Sequence, residues 1–351
     1  MPPVKVLVLD EGSGPSANEP QVNAHGRSMQ GGGGDSMTTF IAEQQKPGVP
    51  ETPELVQSKT DKFNWVFFAV IAPFHLGAVV APFFFHWSSL AVFAVMWLLG
   101  QNVGIAVSYH RQLTHRSFTT PKWLEYAMAV CGALSLQGSP IYWVAVHRMH
   151  HRFTDQRGDP HTPRDGKWWS HMGWILHGAL HSETEMLSRY APDLQKSRFY
   201  RWLTVWHWLP ITLAGIALAG CGMAVGGWRL GLSWLLWGVM LRVTIGFHVT
   251  WLVNSATHLW GARRFNTRDD STNNWWVALL TGGEGWHNNH HAHPVSATHG
   301  MAWWEVDVNY WGIRLLALLG LAKNVKVMRP KATRNLVTAQ PATVASHAVR
   351  R

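Results

Sequence analysis

The chain has 351 residues, of which 47% are hydrophobic and 14% are charged, whereas a typical soluble domain has about 25% charged residues. Its two cysteines exclude a disulfide scaffold and a cysteine-rich zinc module. The formal net charge of +10 allows nucleic-acid binding, so the positions of the charges must decide between a membrane protein and a basic metalloprotein.

Residues 1–60 have the composition of a disordered tail, with four consecutive glycines, scattered proline, serine and glutamine, and no apolar periodicity. The segment has no continuous apolar core, so we do not expect a cleaved signal peptide. Either Met1 or Met37 can be the natural start. A second, basic disordered tail is expected at 329–351, which leaves 61–328 as a membrane domain with a cytoplasmic cap.

Four long apolar segments predict an all-α integral membrane protein. Two of them, 63–85 and 87–109, have no charged residue; 202–228 is also free of charge, and 231–253 carries only Arg242. At 1.5 Å per residue a helix of 23 residues is about 34 Å long, enough to cross a hydrocarbon core of about 30 Å. Because the turns inside each pair are short, we expect four transmembrane helices in two hairpins.

The positive charges indicate which part of the chain faces the cytoplasm. Residues 111–201 contain twelve Lys or Arg residues, whereas the two predicted turns contain only Arg229. The long middle segment, the region after the fourth span and both termini are therefore expected on the cytoplasmic side. This distribution accounts for the net charge without nucleic acid. Arg242 has either a functional partner or a structural role, as a bundle-facing ion pair or a snorkelling side chain.

Nine of the 21 histidines fall into four short clusters at the cytoplasmic ends of spans or in the cytoplasmic part. The clusters are HRQLTH (His110, His115), HRMHH (His147, His150, His151), NSATH (Asn254, His258) and HNNHH (His287, His290, His291). Residues at i, i+3 and i+4 share one helix face, so each H-x-x-H-H predicts three imidazoles pointing in one direction. His110 fits the last turn of the second span and His115 the position just beyond it.

Nine imidazoles exceed what one metal ion can bind, and they fit two ions with four or five ligands each. Neutral imidazole suits Fe, Cu, Zn and Ni, so the residue type does not identify the metal. A single histidine is more often a packed or interfacial side chain than a ligand. Two separate H-x-x-H-H strings argue against coincidence.

These motifs resemble those of the membrane-bound fatty acyl desaturases, the family of stearoyl-CoA desaturase and the plant-type acyl-lipid desaturases. The resemblance runs from about residue 63 to about residue 326 and includes the strings SYHRQLTHRSF, GDPHTP, WLVNSATHLWG and GEGWHNNHH. It implies a cytoplasmic helical cap that holds two iron ions (Fe2+/Fe3+) with the nine clustered histidines as ligands. It also implies that Asn254 holds an iron-bound water.

The activity implied by the resemblance is an O2-dependent acyl-CoA or acyl-lipid desaturation. Such an oxidoreductase inserts a cis double bond into a long saturated acyl chain, and O2 is reduced to two waters by the two electrons taken from that chain and two external electrons. The H-x-x-x-x-H spacing of the first cluster favours the Δ9 branch, and His287, where front-end desaturases have glutamine, argues against those enzymes. There is no haem-binding H-P-G-G string, so a separate donor of ferredoxin or cytochrome b5 type is implied.

The acyl carrier stays open between CoA and a glycerolipid. Animal stearoyl-CoA desaturases have Asn-Asp and an Arg just before the second cluster, where this chain has Gly138, Ser139 and Ala145. Chain length and double-bond position are equally open.

An apolar tunnel must determine which carbons of the acyl chain react, because the chain has no polar group near them. Leu98 and Asn102 are candidates for the tunnel floor, with ordinary helix packing as the alternative. Trp143 and Trp251 match aromatic positions beside the tunnel of the family, with interfacial anchoring as the alternative.

Four polar residues near the clusters are candidates for supporting roles. Asp155, Asp159 and His161 follow the second cluster and can orient ligating imidazoles through the far ring nitrogen. Capping and turn formation around Gly158 is the alternative. Glu284, before the fourth cluster, has the same two interpretations.

Two other classes of function compete with desaturation. A di-iron membrane hydroxylase or ketolase uses the same oxidant, although the first-cluster spacing and the N-S-x-x-H string argue against it. A metal transporter or histidine-rich buffer should have polar ligands at mid-membrane, whereas these histidines lie at the span ends. A bacterial cytoplasmic membrane is the first expectation for location, before the endoplasmic reticulum or a plastid.

Overall fold

The structure is a computed structural model. It describes residues 6–9, 58–59, 62–179 and 183–328. Two short segments of the expected N-terminal tail are strands, β1 (Val6–Leu9) and β2 (Ser58–Lys59). The rest of that tail and residues 329–351 lie outside the described residues, so the disorder and the domain boundaries expected there stay predictions.

The first two apolar segments form long helices. Helix α1 (Trp65–Val80) begins at Asn64, whose side chain accepts the backbone N–H of Phe67 at 2.9 Å, and it continues as a 3-10 turn, Ala81–Phe84. Helix α2 (Trp87–Trp97) continues without interruption as a π-helix, Leu98–Thr114. With their extensions the two helices have 20 and 28 residues, long and apolar enough to cross a membrane.

In the described residues between these and the last long helix, six helices form a cap. They are α3 (Lys122–Ala133), α4 (Pro140–Phe153), α5 (Trp174–Leu176), α6 (Glu183–Tyr190), α7 (Pro192–Gln195) and α8 (Arg198–Val205). A 3-10 turn, Pro163–Asp165, and a π-helical turn, Trp169–Gly173, precede α5. Strand β3 (Gly178–Ala179) pairs antiparallel with β2.

The third long helical segment runs 50 residues, from Leu209 to His258. It consists of α9 (Leu209–Leu235), a π-helix (Leu236–Leu241), α10 (Arg242–Ser255) and a 3-10 turn (Ala256–His258). Gly226 and Gly227 interrupt α9 with non-helical angles, and the φ of +76° at Gly227 belongs to the left-handed region that favours glycine. The described residues thus contain three helices that can span a membrane, so four separate helices in two hairpins are not confirmed.

The C-terminal part completes the cap. It contains α11 (Trp275–Thr281), α12 (His287–Ala292), α13 (Val308–Leu318) and strand β4 (Val325–Met328). Strand β1 pairs in parallel with β4, with Val6 opposite Val325.

Close backbone contact joins the end of the second long helix to the cap. A Cβ on Gly104 would lie 2.4 Å from the backbone nitrogen of Gly132, so the π-helix and α3 pack with no side chain between them. Tyr109, Ala129 and Met149 are buried in the same apolar cluster, which also includes residues of α4 and α8. This packing fixes the end of the π-helix against α4, and both elements carry clustered histidines.

Candidate metal centre

The fold brings all nine clustered histidines together. They form two groups, and within each group the candidate ligand atoms all lie within 4.8 Å of one another. The five-histidine group consists of His110, His115, His147, His151 and His290, and the four-histidine group of His150, His258, His287 and His291. Each group could hold a metal ion, while the expected number of two ions stays a prediction.

The π-helix explains why His110 and His115 act together. In an α-helix, residues five apart point about 140° away from each other, because one turn takes 3.6 residues. Here the backbone N–H of His115 donates to the carbonyl of His110 at 3.2 Å, an i→i+5 bond typical of the wider π-helical turn. The two ring centroids are therefore only 4.9 Å apart.

Each H-x-x-H-H string is helical, as expected, and contributes to both groups. On α4, His147 and His151 join the five-histidine group while His150 joins the other. On α12, His290 joins the five-histidine group, and the remaining two histidines of that string join the four-histidine group. The two helices thus hold the groups side by side.

The separations between Nε2 atoms fit metal coordination. Pairs such as His147–His151 and His258–His287 approach to 3.1 Å, and His150–His291 to 3.4 Å. Imidazole nitrogens at the zinc–imidazole distance of about 2.1 Å are about 3.0 Å apart at right angles and about 3.4 Å apart at the tetrahedral angle. The spacing within each group is therefore compatible with ligands around a metal cation.

Carboxylates fix the orientation of four of these imidazoles. They accept from Nδ1, which leaves Nε2 unprotonated and free to bind a metal. The distances are 3.0 Å for His150–Asp159, 2.9 Å for His258–Asp155 and 3.1 Å for His291–Asp269; Nδ1 of His110 contacts Oε2 of Glu284. The predicted contacts of Asp155 and Asp159 with imidazoles are therefore present in the structure.

The carboxylates are ionised. Burial raises the pKa of Asp155, but the hydrogen bond from His258 and neighbouring charges outweigh it and hold the pKa below its usual value. The pKa of Asp159 and of Asp269 is lowered for the same reason, with His150 and His291 as the respective partners. These side chains can therefore hold an imidazole N–H throughout the neutral range.

Five of the nine imidazoles are held in the neutral form. Burial, followed by the neighbouring imidazoles, lowers the pKa of His115, His147 and His151 well below the usual value. The same causes lower the pKa of His287 and His290. Neutral imidazole is the form that binds metal.

A buried ion-pair network lies behind His110. Arg111 donates to Oε1 of Glu284 at 2.7 Å, contacts Asp307 at 2.9 Å and donates to the carbonyl of Ala297 at 2.8 Å. Burial raises the pKa of Glu284, but the Arg111 charge and nearby imidazoles outweigh it, so the pKa lies well below its usual range. Glu284 therefore supports an imidazole and ends an ion-pair network, beyond the turn formation considered for it.

The four candidate tunnel residues lie in different surroundings. The ring of Trp143 is 5.0 Å from His147 and 5.9 Å from His110, so it borders the five-histidine group. Trp251 is buried and stacks on Phe247 at 5.4 Å. Their part in a tunnel stays a prediction.

The two tunnel-floor candidates have clearer environments. Asn102 donates to Oδ1 of Asn309 at 2.8 Å, and Asn309 donates to Oε1 of Glu284 at 3.0 Å, so Asn102 belongs to the polar network behind His110. Leu98 is 54% exposed, which favours lipid contact over a position in a tunnel wall.

The remaining predicted residues flank the four-histidine group. Asn254 is half-buried in the last turn of α10, and His258 ends the 3-10 turn that follows. His161 is buried, with its ring 4.4 Å from that of His150 and its Nδ1 3.6 Å from Asp159.

Sequence reasoning missed two residues of the centre, Asp269 and His299. His299 is 1% exposed, and its ring lies 4.4 Å from that of His290, with Nδ1 3.6 Å from Glu284. Neither residue belongs to a repeated spacing, and both are in loops, so only an unusual concentration of acidic and imidazole side chains near the fourth cluster could have indicated them.

A second chain of imidazoles joins the first and last long helices to the cap. Nε2 of His75 is 3.2 Å from Nε2 of His248, whose Nδ1 is 3.1 Å from Nε2 of His171. Nδ1 of His171 is 3.1 Å from the hydroxyl of Ser255. These histidines are separate from the nine and tie three elements together.

Comparison with known proteins agrees with this geometry. The fatty acid desaturase family matches residues 85–317. The chain is 46% identical over 271 residues to an sn-2 palmitoyl-lipid 9-desaturase of Nostoc, covering 76% of this chain and 91% of that protein. It is 42% identical to an sn-1 stearoyl-lipid 9-desaturase of Anabaena variabilis (79% and 99% covered) and 41% identical to an acyl-CoA C20 Delta5-desaturase of Anemone leveillei (83% and 93% covered).

Proposed function

The chain belongs to the fatty acid desaturase family and is an oxidoreductase that desaturates fatty acyl chains, and we propose that it inserts a cis Δ9 double bond into a long saturated chain esterified in a membrane lipid. The Δ9 position of the double bond and the lipid as acyl carrier are proposed from the relatives at 46% and 42% identity, since both are lipid 9-desaturases. The acyl-CoA relative at 41% identity makes CoA the competing carrier.

Two iron ions, one in each histidine group, are proposed for the centre. The observation that carries this proposal is the convergence of nine Nε2-bearing rings into two groups, because unprotonated nitrogens 3.0–3.4 Å apart repel one another unless a cation lies between them. Bound iron would supply the chemistry that removes hydrogen from an unactivated alkyl chain, with O2 and two electrons from a donor protein as co-reactants.

The protein's own residues prepare this chemistry. Asp155, Asp159 and Asp269 hold Nδ1 protons, so the imidazoles keep one tautomer and one orientation. Six of the nine histidines are buried and three are half-buried, which limits the access of bulk water to the reacting centre. Asn254 is proposed to position a water there, and Trp143 to border the acyl chain beside the five-histidine group.

We propose four membrane-spanning helices, with a turn at Gly226–Gly227 dividing the third segment. Side-chain contacts support two hairpins side by side: Ser89 and Ser233 share a hydrogen bond of 2.6 Å, and the Arg229 guanidinium is 5.9 Å from the ring of Phe84. Both predicted turns therefore lie at the same end of the bundle, opposite the cap. In a variant without native cysteines, Arg229→Cys should react with a membrane-impermeant thiol reagent from outside the cell; labelling only after lysis would contradict the arrangement.

The cap and both termini are proposed to face the cytoplasm, where a separate ferredoxin or cytochrome b5 type protein would deliver electrons. A bacterial cytoplasmic membrane remains the proposed location. The composition of the tails and the distribution of Lys and Arg support this orientation.

A lipid profile tests the function. The chain is expressed with a compatible electron donor in a host that has few unsaturated fatty acids, and double bonds are mapped by gas chromatography–mass spectrometry in each lipid class. A new Δ9 monoene in glycerolipids is expected. His150→Ala should abolish it, whereas His207→Ala, which changes a ring bonded to the carbonyl of Thr204, should not. Hydroxylated chains, or unchanged product from His150→Ala, would contradict the proposal.

A further inference from the structure

Carboxylates are divided unequally between the two histidine groups. In the four-histidine group, three of the four rings present Nδ1 to a buried or nearly buried carboxylate. The acceptors are Asp159 for His150, Asp155 for His258 and Asp269 for His291. Each ion-pair contact that the structure gives these carboxylates is with an imidazole.

The five-histidine group has less negative charge. Within the described residues, only His110 presents Nδ1 to a carboxylate, that of Glu284, whose other oxygen accepts from Arg111 at 2.7 Å. The Nδ1 atoms of His115 and His290 are buried, and no hydrogen-bond partner for either is found in the described part of the chain.

The charge balance of a bound divalent cation therefore differs between the groups. Three carboxylates around the four-histidine group overcompensate the ion by one negative charge. Around the other group, Glu284 and Asp307 are offset by the guanidinium of Arg111, so one positive charge is left over. Before an ion binds, three negative charges surround the four-histidine group and a net single negative charge surrounds the other, so a divalent cation is attracted more strongly to the four-histidine group. Carboxylates on Nδ1 also make Nε2 a better donor.

We propose that the two groups bind iron with unequal affinity, an inference that rests on the two-ion centre of the proposed function. The four-histidine group holds its ion more tightly, and the five-histidine group releases its ion first. The number of ligands alone would favour tighter binding in the five-histidine group, because it offers five imidazoles and the other group offers four. Carboxylate charge outweighs the extra ring. Asp155, Asp159 and Asp269 are then positioning residues that act through the imidazoles they contact.

Iron release tests the order. The full-length chain in detergent is loaded with Fe2+ and mixed with an excess of a coloured ferrous chelator, and total iron is measured by mass spectrometry. Two equal phases with rates at least 10-fold apart are expected, and His115→Ala should remove the fast phase. Release of both ions in a single phase, or loss of the slow phase in His115→Ala, would overturn the proposal.

Two adjacent aspartates offer a matched control. Asp269 contacts His291, whereas Asp270 accepts from Arg164 at 2.8 Å on the surface. Asp269→Asn should speed the slow phase by about 10–100-fold, the usual effect of losing such a partner, and leave the fast phase unchanged. Asp270→Asn should leave both phases unchanged.

Asp159→Asn should act in the same direction as Asp269→Asn, which keeps the test available if one variant fails to fold. Equal effects of the Asp269 and Asp270 variants would contradict the role of charge. The lipid product of the wild type is measured separately. If the protein makes the monoene but releases its iron in a single phase, only the unequal binding is overturned. If it releases iron in two phases but makes no monoene, the proposed function is overturned instead.

Discussion

Replacement of Arg111 by methionine should destabilise the protein strongly. Arg111 is fully buried, and its guanidinium contacts Glu284 at 2.7 Å and Asp307 at 2.9 Å. The Arg111→Met change leaves two buried carboxylates without their cation. Removing one partner of a buried ion pair typically costs about 3–5 kcal/mol. We therefore expect a loss of this size in the free energy of unfolding, together with weakened support for His110.

The assay is thermal unfolding of the purified chain in detergent, followed by the intrinsic fluorescence of its 22 tryptophans. At roughly 2–4 °C per kcal/mol for a chain of this order of size, the midpoint should fall by roughly 6–20 °C. Arg164→Met is the matched control, because the Arg164–Asp270 pair has side chains 54% and 45% exposed and such surface pairs contribute about 0–1 kcal/mol. Midpoints that agree within 2 °C for the two variants would refute the argument from burial.

Three further predictions concern other parts of the fold. Arg148 holds the pKa of Asp193 at about 2 despite burial. Ionised Asp193 therefore stabilises the fold by about 2 kcal/mol above pH about 4, and this stabilisation is lost as the pH falls toward 2. The thermal midpoints of the wild type and Asp193→Asn should converge in acid, and midpoints that stay equally far apart at every pH would contradict this. Gly104→Ala should cost about 1–3 kcal/mol because its Cβ would lie 2.4 Å from a backbone nitrogen of α3, whereas Gly220→Ala, with open space around it, should be neutral in the same melt. His248→Leu removes the centre of the three-imidazole chain and should cost about 1–3 kcal/mol; an unchanged midpoint would show that the chain does not stabilise the fold.

The ligand clusters could be predicted from the sequence because their spacing reflects local geometry. An H-x-x-H-H string on a helix presents its rings within one turn, and α4 and α12 are both helical. The spacing could not show that each string contributes to both groups, since that depends on how the two helices face each other. The five-residue gap between His110 and His115 was explained only by the π-helical turn.

Only some of the residues that support the ligands could be predicted from the sequence. Asp155 and Asp159 follow the second cluster closely, so their contacts with imidazoles could be anticipated. Asp269 lies 22 residues before His291, and His299 lies in a loop; their approach to the centre depends on tertiary packing. The turn at Gly226–Gly227 was visible as a short polar break, but the structure continues the helical segment on both sides of it.

Counting iron tests the central claim most directly. The full-length chain is purified from cells that make the new monoene, and iron per chain is measured by mass spectrometry together with the turnover of the same preparation. The two histidine groups predict two iron ions per chain, with activity that declines as either ion is removed. An active preparation that holds one ion, or none, would contradict the account.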